Sequence, residues 1–104
     1  MSTEAEGSAA QVVTDNPQRE RFELRVDGSL VGVADYRRSD DTITFTHTEV
    51  DPKLRGRGLA AVLVAAALEA SASAGLTVEA TCSYVRDYMD RRNSQRPAPV
   101  DRES

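Results

Sequence analysis

From residue 22 the chain keeps its apolar side chains two apart, with Phe22, Leu24 and Val26 alternating with charged residues in "RFELRV". A period of two marks a strand with one buried face. "DGS" interrupts the alternation as a hairpin turn, "LVGVADYRR" resumes it, and "SDD" turns the chain again. "TITFTHTEV", residues 42–50, is dense in β-branched residues and predicts a third strand. Its period of two puts Ile43, Phe45, His47 and Glu49 on one face, and Thr44, Thr46, Thr48 and Val50 on the other. Together these strands predict an antiparallel meander.

The period then changes. Asp51-Pro52 ends the strand, because proline has no N–H for a ladder and restricts the residue before it. From about Gly58 to Ala74 apolar residues recur at helical spacing, with Leu59, Val62, Leu63, Ala66, Ala67 and Ala70 on one stripe. The many alanines permit close approach to a sheet, and Gly75 is placed as the helix terminator. "LTVEATC" predicts a fourth strand and "YVRDYMDRR" a short closing helix. A strand, a helix and a strand make a crossover whose two strands run parallel with a right-handed connection. The expected fold is mixed α/β (α+β): a three-strand antiparallel meander, one βαβ unit and a short C-terminal helix. Residues 1–19 and 94–104 are polar and aperiodic, so they are expected as flexible tails around a folded domain at 20–93.

Composition narrows the classes. At 104 residues the chain fits one small domain, with 5% aromatics and no tryptophan, so the core must come from Val, Leu, Ile and Ala. One cysteine, Cys82, excludes an internal disulfide and fits a reducing compartment. The N-terminal sequence lacks a charged-then-apolar export pattern, and the apolar run Leu59 to Leu68 is too short for a bilayer, so a cytoplasmic protein is expected. A net charge of -4 argues against a nucleic-acid protein. With a single His and a single Cys, no metal site is expected.

Against that acidity, Lys53, Arg55 and Arg57 are packed around Gly56 at the entrance of the apolar helix. A turn from a strand's carboxyl end into a helix is a prepared anion site, because the first helical N–H groups lack partners and the dipole adds positive charge. Gly56 and Gly58 let the backbone approach an anion, Arg55 and Arg57 offer bidentate contacts, and Lys53 adds a point charge. A diphosphate would use all of them. "GRGLAA" is neither a nucleotide P-loop, lacking Gly-Lys-Ser/Thr, nor a three-glycine dinucleotide fingerprint.

It does contain Arg-x-x-Gly-x-Ala at Arg55, Gly58 and Ala60. This resembles the acyl-CoA pyrophosphate loop of the GNAT superfamily of N-acetyltransferases. "HTEVDPKLRGRGLAAVLVAAALEA" followed by "AGLTVEATCSYVRDYM" is similar to the minimal GNAT family of a single short acetyltransferase-like domain, over about Phe22 to Met89. The chain departs from that pattern at Arg91–Asn93, where the family commonly has a His-Pro pair. The resemblance implies acetyl-CoA as the ligand, its pyrophosphate on the amides of Arg55, Gly56, Arg57, Gly58, Leu59 and Ala60. It implies a pantetheine arm along the strand end at Val50, and an amine as acetyl acceptor.

Acetyl transfer asks for a base to deprotonate the amine, polarisation of the thioester carbonyl and a proton for the leaving thiolate. His47 and Glu49 share a strand face and are the candidate bases, with Glu49 nearer the strand's carboxyl end. Cys82 ends the strand expected beside that of His47 and is a candidate nucleophile. Tyr84 and Tyr88, four apart, share a helical face; Tyr88 is the candidate acid. Two functions follow: an acetyl-CoA-dependent N-acetyltransferase, or a CoA-binding module with little catalysis. A nucleic-acid contact by "RGRG" is disfavoured by the charge. The expected state is a monomer or a weak dimer through an exposed edge strand.

Overall fold

The computed structural model describes residues 10–54 and 56–95. Five strands form one sheet in the order β1-β2-β3-β4-β5. They are β1 (Gln11–Asn16), β2 (Arg21–Val26), β3 (Ser29–Ser39), β4 (Thr42–Val50) and β5 (Thr77–Ala80). Two helices, α1 (Leu59–Ser73) and α2 (Ser83–Gln95), are the α-helices among the described residues. The first four strands are antiparallel neighbours, and β5 returns parallel to β4 with Thr42 opposite Thr77 and Phe45 opposite Ala80. The crossover read from the sequence is therefore present, and the fold is the expected mixed one.

The meander has four strands rather than three. Residues 11–16, expected in a flexible tail, instead pair along their whole length with β2. Their pattern is weak because β1 is an edge strand: Val12 is exposed and only Val13 and Asn16 are half-buried. What holds β1 lies elsewhere in the chain. The Tyr36 hydroxyl on β3 reaches past β2 and donates to Asp15 Oδ1 at 2.6 Å. That bond and burial push the Tyr36 phenol's pKa upward, burial being the larger cause. Residues 1–9 of the expected tail lie outside the described residues, and α2 runs two residues past the expected domain end at 93.

One face of the sheet carries the core. Phe22, Leu24, Ala34, Tyr36, Ile43 and Phe45 pack against Leu59, Leu63, Val64, Ala67 and Leu68 of α1 and Val85 of α2. Phe22, Tyr36 and Phe45 bring three ring centroids within 5.5–6.2 Å of one another, tilted or edge-on. The buried stripe of α1 is Leu59, Leu63, Val64, Ala67, Leu68 and Ser71, so the expected stripe is rotated; Ala70 is exposed. A helix apolar on every side has no periodicity to fix its rotation, and packing decides it. Its end is closed by Leu76 N–H donating to Ser71 O and Gly75 N–H to Ala72 O, the paired bonds of a Schellman motif, with Gly75 where the sequence placed the terminator.

The opposite face is polar. Glu23 is buried there because Arg21 and Arg25 fold over it, at 2.8 and 2.9 Å, with Asn16 Nδ2 at 3.1 Å. Arg25 first, then Arg21, hold the Glu23 carboxyl down from its usual 4.5 to about 2. Among the described residues, no helix is long and apolar enough to cross a membrane.

Candidate functional site

A single irregularity in β4 builds the site. Asp35 pairs with His47 and Tyr36 with Phe45, so Thr46 is an extra residue opposite no partner, a β-bulge. Up to Phe45 the odd residues face the core; beyond the bulge the phase inverts. His47 and Glu49 are exposed, while Thr48 and Val50 are half-buried. The expected grouping of His47 and Glu49 with Ile43 and Phe45 is thus corrected. They still share a face with each other, His47 Nε2 lying 3.5 Å from Glu49 Oε1, but it is the polar face.

The same point is where β4 loses its parallel neighbour. The last ladder pair is Phe45 with Ala80, and Thr81 N–H and Cys82 N–H both donate to Phe45 O, at 2.9 and 3.2 Å. The chain then turns into α2 at Ser83. One edge of β4 from Thr46 to Val50 is left without a strand among the described residues. A cleft of about 410 Å³ opens there, lined by His47, Thr48, Glu49, Val50, Pro52, Ala60 and Tyr84.

The floor of this cleft leads to the start of α1. Asp51 caps a short 3-10 turn at Pro52–Leu54, its Oδ1 accepting from Lys53 N–H at 3.0 Å and its carbonyl from Leu54 N–H at 2.8 Å. Gly56 and Gly58 follow at φ 83° and 74°, a left-handed conformation that side chains with a Cβ resist. Gly58 is the N-cap of α1 and makes no side-chain cap. Its carbonyl accepts from Val62 N–H at 3.2 Å, so the N–H groups of Leu59, Ala60 and Ala61 keep no helical partner. Leu59 itself is buried and anchors the helix end, which limits its contribution at the surface to its backbone.

The sequence candidates divide on this frame. His47, Glu49, Val50 and Ala60 meet in the cleft, with Gly56, Arg57 and Gly58 in the loop at its end and Arg57 exposed. Arg55 lies outside the described residues. Cys82 is half-buried, its Sγ 3.6 Å from the hydroxyl of Thr48, a cleft residue. Tyr84 lines the cleft, whereas Tyr88 lines a separate cavity with Ala61, Arg91 and Arg92. Thr48 and Pro52 complete the wall without having been chosen from sequence, and Tyr84, weighed there with Tyr88 as an acid, joins them. Tyr84 carried the readable signal, since the residues just after β5 fall at the same end of the sheet as those leaving β4.

The sheet splits beside a βα turn whose glycines leave the first helix amides without helical partners, which defines an α/β protein with a cleft at the split. The chain matches the GCN5-related N-acetyl-transferase family over residues 21–97, and it belongs to that family. Among solved structures it is similar to a GCN5-related N-acetyltransferase from Sphaerobacter thermophilus, 20% identical over 60% of this chain and 21% of that one, with a TM-score of 0.54. It is also similar to N-acetylglutamate synthase from Neisseria gonorrhoeae, complexed with coenzyme A and N-acetyl-glutamate, 19% identical over 78% of this chain and 21% of that one, at 0.57. A third is a ribosomal-protein-alanine N-acetyltransferase from Brucella melitensis biovar Abortus 2308, 21% identical over 81% and 68%, at 0.50. The matched region is thus 21% of the length of the first two neighbours. No curated protein matches the chain significantly.

Proposed function

We propose that the protein is an acetyl-CoA-dependent N-acetyltransferase acting on an amine. The observation that carries the reading is the free edge of β4, which runs from the bulge at Thr46 to the uncapped start of α1. Backbone groups of Thr46–Val50 that have lost a strand partner fit an extended amide-bearing arm lying as a pseudo-strand. The amides of Leu59, Ala60 and Ala61, with Gly56, Arg57 and Gly58, fit a pyrophosphate, and Arg55 is assigned to the same loop. The coenzyme A held by the gonococcal neighbour supports this fit. When bound, acetyl-CoA supplies an acetyl thioester.

The remaining roles fall to this chain's side chains. Glu49, 3.5 Å from His47, takes the proton of the acceptor ammonium directly or through water, and His47 relays it. Tyr84, which lines the same cleft, is the proton donor. Cys82 is held near the cleft by Thr48. A second reading, a CoA-binding module with little catalysis, is favoured by one feature. The side chains of His47 and Glu49 are 59% and 71% exposed, so no second wall encloses the amine among the described residues.

Calorimetric titration with acetyl-CoA, CoA and ATP tests the cofactor assignment. Binding of acetyl-CoA in the micromolar range, with ATP much weaker, is expected. In Gly58→Val a β-branched residue must take φ 74°, which strains the turn that presents the free amides. Its affinity should fall at least about tenfold, on the order of 1.4 kcal/mol. Wild-type affinity in a folded Gly58→Val protein would refute the loop assignment.

A further inference from the structure

Leu30 and Val12 are the large apolar side chains left exposed among the described residues, Leu30 at 43%. Val12 sits on an edge strand, whereas Leu30 is placed by a second β-bulge. Leu24 of β2 pairs with Gly32 and Arg25 with Leu30, so Val31 is an extra residue opposite no partner. The extra residue turns Leu30 to the polar face of the sheet, where Val33 and its β4 partner Glu49 also lie. Without it Leu30 would fall on the core side with Gly32. The bulge is tied to the end of β4, since Val31 O accepts from Asp51 N–H at 2.8 Å.

A shallow hollow of about 200 Å³ results, lined by the side chains of Leu30, Val33, Glu49, Asp51 and Pro52. It adjoins the candidate cleft, because Glu49, Val50 and Pro52 line both. Glu49, the base of the proposed reaction, therefore stands between the two. The charge in the hollow is of one sign: Glu49 and Asp51 bring carboxylates, and among the described residues no cation lines it. Arg25, cross-strand from Leu30, is held by Glu23 at 2.9 Å. An ammonium is favoured beside such carboxylates and a further carboxylate is repelled. Leu30, Val33 and Pro52 offer the same ligand apolar contact.

We propose that the hollow holds the apolar substituent of the acetyl acceptor, which makes the acceptor a primary alkylamine: an ammonium at Glu49 carrying one branched alkyl group and no carboxylate beside its nitrogen. The assignment rests on the acetyltransferase reading and names the substrate class of that site. Leu30 is the residue that sets the preference for the alkyl group, and Glu49 with Asp51 set the preference against an acid.

The experiment follows thiol release from acetyl-CoA with 3-methylbutylamine, ethylamine and leucine as acceptors. Ethylamine has nearly the basicity of 3-methylbutylamine but lacks the branched group, and leucine adds a carboxylate to it. Wild type is expected to favour 3-methylbutylamine over ethylamine roughly tenfold in kcat/KM, the low end for alkyl groups in a pocket because the hollow is open. Leucine should be at least about tenfold poorer than 3-methylbutylamine although its amine is the less basic, and added salt should shrink that gap but not the first. Leu30→Ala should abolish most of the preference over ethylamine, chiefly through KM, since the contact is made equally before and during reaction. Leu30→Met should keep it. Leu30 is exposed, so both variants are expected to fold, which circular dichroism checks. Turnover of ethylamine or leucine as efficient as that of 3-methylbutylamine, or an unchanged preference in Leu30→Ala, would overturn the subsite and leave the acetyltransferase reading standing. Binding of acetyl-CoA with no turnover of any of the three amines would overturn the subsite and favour the binding module. Failure of folded wild type to bind acetyl-CoA would overturn the acetyltransferase reading, and the subsite with it.

Discussion

Adding one methyl group at Gly32 should loosen both the core and the cleft. Gly32 lies on the core face of β3, opposite Val50 of β4 and beneath Leu63 of α1. A Cβ there would meet the carbonyl oxygen of Glu49 at 3.3 Å, Val50 Cγ2 at 3.3 Å and Leu63 Cδ2 at 3.4 Å. All three are shorter than the ~3.5–4.0 Å optimum for carbon contacts. The carbonyl cannot rotate away because β4 is laddered to β3, and Leu63 is fully buried. Overpacking of this kind costs about 1–3 kcal/mol. Replacing glycine in a strand recovers roughly 0.5–1 kcal/mol of backbone entropy. The net for Gly32→Ala is then a destabilisation of about 1 kcal/mol, or roughly 4–8 °C in Tm for a domain this small. Thermal unfolding followed by circular dichroism reads it. Gly32→Ala/Leu63→Ala should be more stable than the sum of its single variants, since removing Leu63 opens room for the methyl. Because Val50 also lines the cleft, acetyl-CoA affinity should weaken in Gly32→Ala even where the protein is fully folded. A Tm equal to or above wild type would show that the helix and β4 have slack here and that no tight seat lies beneath the cleft.

The other expectations concern the polar face, the edge strand and turnover. Glu23, with its pKa lowered to about 2, stabilises the fold above its ordinary pKa of 4.5, and that contribution is lost as pH falls from 4.5 to 2; in Glu23→Gln the decline in Tm across this window should be smaller. Tyr36→Phe removes the bond to the exposed Asp15 carboxylate and should cost about 1 kcal/mol in chemical denaturation. Amide exchange should accelerate first in β1, and uniform acceleration across the sheet would show that the Tyr36–Asp15 bond does not hold β1 in particular. Glu49→Gln should leave acetyl-CoA binding intact and lower turnover on a good amine acceptor by about 10²-fold or more. Cys82→Ser should do the same if the thiol takes part; unchanged rates in both variants would favour the binding-module reading.

Periodicity within single segments made β2, β3, β4, the crossover helix, β5 and the closing helix legible. Two glycines before an apolar helix made the tight turn and the uncapped helix start legible as well. These features depend on residues close in sequence: alternation selects a strand, Asp51-Pro52 stops it, and a Gly N-cap leaves amides free. The composition of the cleft was half legible for the same reason. His47, Glu49, Val50 and Ala60 belong to the strand and helix that flank one loop, and any βα turn brings those ends together.

Tertiary structure decided what depended on two segments at once. The bulge at Thr46 exists only in the pairing of β4 with β3, and it alone turns His47 and Glu49 to the polar face and Thr48 toward Cys82. Strand β1 has too little apolar content to announce itself and is defined by β2 and by Tyr36 across the sheet. The rotation of α1 was set by the sheet, because a helix apolar all round offers no stripe of its own. Which tyrosine faces the cleft depended on how α2 lies against α1. A sequence fixes the phase of an element against itself; only packing fixes its phase against its neighbours.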